Sequence, residues 1–152
     1  MERGWVFAQA LVRGGGDRGI AWHNDGKLYN KPNSFHDFIS CAEYLIANRI
    51  THPNLLVTKG MSAGGLLVAH ASLNMRPDLF RATILDVPFV DMLSCLLDPD
   101  APLSQTDYLE FGNPLTDEKI YELMASYSPF DNLQKAEYPS LFININMNDP
   151  RV

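Results

Sequence analysis

The feature that most constrains this chain is a pentad, Gly60-Met61-Ser62-Ala63-Gly64, set between two apolar runs. Leu55-Leu56-Val57-Thr58 before it reads as a short strand. Ala63 to Asn74 after it reads as a buried helix, ended ahead of Arg76-Pro77. A G-x-S-x-G pentad at a strand-to-helix junction has a physical logic. The sharp turn forces the serine into strained backbone geometry, and side chains two positions either side would collide with neighbouring backbone. Ser62 then stands at a helix N-terminus, where the N–H of Ala63 faces the place an oxyanion would form. The spacing nominates Ser62 as a nucleophile.

The elements around the pentad predict an α/β chain. Trp5 to Val12 is an apolar run that reads as a strand buried on both faces, followed by a Gly-rich loop from Arg13 to Gly19. That loop has neither the Lys-Ser/Thr ending of a phosphate loop nor dinucleotide spacing, and is placed at a strand's carboxyl end, on the edge of Ser62. Asn33-Ser34 reads as a cap, with Asp37 three residues beyond Ser34, for a helix whose apolar face runs from Phe35 to Ile46. Ala82 to Leu85 and Ser140 to Asn146 read as further strands. Residues 91 to 133 read as irregular, with one helix from Asp117 to Tyr127 capped by Thr116. Strands alternating with helices predict a parallel sheet flanked by helices.

Charge narrows the function. The net charge is −6 and unevenly placed. Residues 1–90 hold nine Lys/Arg and seven Asp/Glu, whereas residues 91–137 hold ten acids against Lys119 and Lys135. That field repels nucleic acid and suits a cationic ligand, or a solvated acidic face. No apolar run approaches the roughly 18 residues of a membrane span. Cys41 and Cys95 match no metal or redox spacing and read as reduced thiols in a cytoplasmic protein. No cofactor or metal is expected.

An α/β-hydrolase triad runs in the order Ser, acid, His. Asp149 follows the strand at 140–146, 87 residues after Ser62. The histidines, His23, His36, His52 and His70, all precede it. His70 lies roughly 12 Å up the helix from Ser62 and does not reach it. His23 lies in a loop expected to border the site, and nothing in the sequence places it against both Ser62 and Asp149. The base is expected beyond Val152.

Several blocks carry a resemblance. RGGGDRGIAWHNDGKLYNKPNSFHDFISCAEYLI, GMSAGGLLVA, RPDLFRATILDVPFVDML, YSPFDNL and YPSLFININMNDPRV resemble the catalytic domain of the prolyl oligopeptidase family, and within it the oligopeptidase B branch. The resemblance spans Arg3 to Val152. It implies a partial α/β-hydrolase fold over residues 1–152, with about four of eight strands and the family's β-propeller absent. It implies a cytosolic serine peptidase acting on short peptides, with Ser62 as nucleophile, Asp149 as triad acid, the Ala63 N–H as half of the oxyanion hole and Arg151 as a substrate contact. In the oligopeptidase B branch, acids ahead of Gly112-Asn113-Pro114 bind a basic P1 side chain. Asp107 matches one such position. Leu109 occupies the second, with Glu110 adjacent as a further candidate substrate contact, and Met61 stands where a glycine is common. The second oxyanion donor is expected before Met1. Two other readings stay open: an esterase or acyl hydrolase of the same fold, and a non-catalytic shortened product.

Overall fold

The structure, a computed structural model, describes residues 3–149. Among them, three strands form one sheet: β1 (Val57–Ser62), β2 (Ala82–Pro88) and β3 (Ser140–Asn144), in the order β1-β2-β3 and parallel throughout. Helices α1 (Ile20–Asn24), α2 (Pro32–Ala47), α3 (Ala63–Ala69), α4 (Met92–Leu97), α5 (Ser104–Phe111) and α6 (Glu118–Tyr127) complete the order. This is a partial α/β fold with a parallel sheet flanked by helices.

Helix α3 is the centre of the core. Leu66 joins Phe35, Phe89, Met92, Leu96, Phe111, Met124 and Tyr127 in the largest apolar cluster. Val68, Ala69 and Leu73 pack on Leu85 of β2, and Ala71 packs on Ile39, Ala42, Leu79 and Phe80. Being apolar on every side, the segment is enclosed by α2, the sheet and α4–α6. Helix α3 continues directly into a π-helical segment, His70–Met75.

The structure departs from the sequence reading at several points. Trp5–Val12 is not a strand: no strand pairs with it among the described residues, and Val6 and Phe7 are more than 70% exposed. An apolar run is a local signal, whereas a strand needs a neighbour to complete its ladder. The sheet therefore shows three strands among the described residues, not four. The Gly-rich loop then has no strand to follow. It is held instead against Gly26, where a Cβ would lie 2.1 Å from the Gly14 nitrogen.

Helix α2 begins earlier than expected, at Pro32, a proline in the first turn. Its expected capping residues serve the loop. Ser34 Oγ donates to the carbonyls of Arg13 (2.6 Å) and Gly26 (3.2 Å), and Asp37 takes the Arg13 N–H and guanidinium. The Arg13 hydrogen bonds hold the Asp37 carboxyl below its usual range. Residues 91–133 carry three helices, not one. The cap of α6 is Asp117, whose side chain accepts from the N–H groups of Lys119 and Ile120, not Thr116.

Candidate active site

The β1–β2 ladder is regular from Val57↔Ala82 to Met61↔Asp86, then slips so that Ser62 faces Pro88. The extra residue, Val87, has φ 39°, and Ser62 opposite has φ 51° and ψ −122°. Both are positions side chains rarely adopt, costing about 1–3 kcal/mol each. What holds them is close packing. The N–H of Phe89 donates to the Ser62 carbonyl at 3.1 Å. A Cβ on Gly60 would lie 2.2 Å from the Gly64 carbonyl oxygen, so the strand can turn back on the helix only with glycine there.

The second required glycine is not the one the pentad suggests. A Cβ on Gly64 would meet nothing within 4 Å, whereas one on Gly65 would lie 2.6 Å from the Pro88 Cβ. Glycine at 64 is not demanded by collision. The helix–strand approach that needs a bare backbone is one residue further on, and the sequence signal for it was the doubled glycine itself.

This bend places Ser62 at the carboxyl end of a parallel strand and at the N-terminus of α3. Ser62 is half-buried and Ala63 is exposed. The Ala63 N–H is one of the helix-start amides without an intrahelical partner. Asp149 lies in the turn after β3, its N–H donating to the Asn146 carbonyl at 3.1 Å. It lines a small hollow with Val87, Pro88, Ile145 and Asn146. Pro88 is also the register partner of Ser62, so one sheet edge carries both residues. That edge therefore carries a hydroxyl and a carboxylate, the residue types of a nucleophile and of an acid that orients a base.

None of the four histidines hydrogen-bonds Ser62. His23 Nδ1 bonds the Gly14 carbonyl at 2.8 Å, and its Nε2 lies 3.4 Å from Glu110 Oε2. His52 Nδ1 accepts from the Asn54 N–H. His70 sits edge-on to Phe35 with Nδ1 3.3 Å from Asn74 Oδ1, and burial lowers its pKa to about 4, leaving it neutral.

The acidic positions differ. Asp107, in α5, is half-buried. Cys95 is pushed up by burial and then by the charges of Asp91, Asp107 and Asp98, which gather around it. Glu110 is engaged by Lys31 Nζ at 3.1 Å as well as by His23. Sequence reasoning missed Lys31, since the pair spans 79 residues and leaves no local trace. Arg151 lies outside the described residues. Among the described residues no group of three or more His, Cys, Asp or Glu could hold a metal ion, and no helix is long and apolar enough to cross a membrane.

Comparison with known proteins agrees with this geometry. The prolyl oligopeptidase family matches residues 1–152. Protease 2 of Moraxella lacunata is 45% identical over all of this chain and 22% of its own length, and dipeptidyl aminopeptidase BI of Pseudoxanthomonas mexicana is 42% identical over 21% of its length. The chain spans about a fifth of the curated relatives it matches. Oligopeptidase B from Leishmania major superposes with a TM-score of 0.88 at 45% identity, over 93% of this chain and 19% of that one. Oligopeptidase B from Trypanosoma brucei with covalently bound antipain gives 0.88 at 48% identity, over 93% and 20%.

Proposed function

We propose, from the premise that this chain belongs to the prolyl oligopeptidase family of serine peptidases, that it carries the nucleophile and acid of an oligopeptidase that cleaves short peptides after Arg or Lys. The observation that carries the reading is the strained backbone of Ser62, φ 51° and ψ −122°, on the sheet edge that also bears Asp149. In this reading Ser62 Oγ attacks the peptide carbonyl while a base takes its proton. The Ala63 N–H donates to the oxyanion, and the amine leaves with the proton. Water then hydrolyses the acyl-serine. Asp149 orients the base and Arg151 contacts the peptide.

Basic P1 preference rests on Asp107 and the acidic stretch 91–137, because a carboxylate forms a charge-assisted hydrogen bond to a guanidinium. A cytoplasmic setting is part of the proposal, supported by the unpaired Cys41 and Cys95. A second reading applies to the 152-residue chain by itself. No histidine bonds Ser62, which favours trace activity at most in isolation.

The test is a chimera in which these residues replace the aligned segment of the Moraxella lacunata relative. Its kcat/KM should favour Arg and Lys over Pro and Phe at P1. Ser62→Ala should remove about 10⁴-fold or more. Preference for Pro or Phe would sink the basic specificity, and Ser62-independent turnover would sink the mechanism. Ester turnover with no peptide turnover would favour an acyl hydrolase.

A further inference from the structure

A chain of contacts leads from the nucleophile to an ion pair that the catalytic reading does not use. The Ser62 carbonyl accepts from Phe89 N–H, and the Phe89 ring meets Phe111 edge-on at 5.8 Å. The Lys31 ammonium lies 4.8 Å from the centroid of Phe111 and 3.1 Å from Glu110 Oε1. The Lys31 side chain is only 12% exposed, against 28% for Glu110. An acidic group therefore stands two aromatic rings from the elbow, with a cation already seated on it.

We infer that Lys31 is a specificity-determining residue, which withholds the Glu110 carboxylate from a cationic substrate side chain. The inference rests on the proposed recognition of basic residues and deepens it. Lys31 is held by the ring face as well as the carboxylate, and it comes from the same polypeptide. An incoming guanidinium must displace a partner that pays little entropy to stay. His23, whose Nδ1 bonds the Gly14 carbonyl, places its Nε2 3.4 Å from the second carboxylate oxygen. The acidic excess of the segment thus overstates the charge offered to a ligand, and recognition falls to Asp107 without Glu110.

The test is direct binding of N-acetyl-arginine amide to the 152-residue chain, with N-acetyl-glutamine amide as the neutral control. It is run at low ionic strength, where a single charge contact is screened least. Lys31→Met keeps the stem and removes the charge. It should tighten arginine-amide binding about tenfold, the scale of one charge-assisted hydrogen bond, and leave the control unchanged. Lys31→Arg should restore the wild-type affinity, and Glu110→Gln added to Lys31→Met should abolish the gain. Amide NMR spectra check that each variant keeps the fold. A folded Lys31→Met chain with no gain, or a gain that survives Glu110→Gln, overturns the inference. Neither binding result depends on hydrolysis, so a failure of the peptidase reading in the chimera remains distinguishable.

Discussion

The two ends of the candidate site stand on strands of one sheet, yet in opposite surroundings. The elbow grows from β1 and β2, with α3 packed against both and Leu85 fully covered. Asp149 follows β3, every residue of which is exposed. Leu85 and Ile143 are register partners, level with one another in the ladder, and are 1% and 47% exposed. Ladder hydrogen bonds alone therefore build a strand. Packing over its faces is what fixes it. The geometry of Ser62 is set inside β1–α3–β2, whereas that of Asp149 depends on what covers β3.

The sharpest way to break this contrast is at the glycines. Gly60→Ala should cost more than about 4 kcal/mol, since its Cβ meets backbone at 2.2 Å, and leave no cooperative transition in denaturant. Gly64→Ala should instead stabilise by up to about 1 kcal/mol, having open space and a better helix former. Equal costs would mean the elbow is not locally locked. Next come the register partners: Leu85→Ala should cost about 2–5 kcal/mol and Ile143→Ala within about 0.5, read from urea midpoints.

His70 sharpens the comparison by pH. Its folded pKa is about 4 against an ordinary 6.5. Between those values the unfolded chain binds a proton that the folded chain does not. Stability should fall by about 3 kcal/mol as pH drops from 6.5 to 4 and gain no further slope from this group below that. His70→Leu should remove that slope whatever its absolute stability. The smallest effect belongs to the Lys59–Asp86 pair, 2.7 Å apart on the sheet, in which Lys59 is exposed and Asp86 half-buried. Lys59→Ala should leave the denaturation midpoint where it is.

What was legible in the sequence follows the same division. The elbow could be read because its cause is local: glycines, a strand and a helix within twenty residues. The apolar helix face from Phe35 to Ile46 could be read for the same reason. Trp5–Val12 was misread because β-like composition does not name a partner strand. Ser34 and Asp37 have capping chemistry, but Arg13, more than twenty residues away, and Gly26 recruited them first. Thr116 lost the α6 cap to its neighbour Asp117, whose side chain satisfies two helix-start amides at once. The Lys31–Glu110 pair belongs to tertiary structure alone.

The register also carries a temporal consequence. Val57 and its partner Ala82 are 25 positions apart, whereas Ala82 and Ser140 are 58 apart. The longer closure costs about 0.7 kcal/mol more in chain entropy. β3 also brings less apolar burial with which to offset it. The β1–α3–β2 unit should therefore condense first, and β3 should dock onto it last. On the ribosome the interval is long: 58 residues at about 5–20 residues per second take roughly 3–12 s. Over that interval β1, α3 and β2 are in the chain, while α4–α6, which cover α3, and the segment that will deliver the aspartate are still being made.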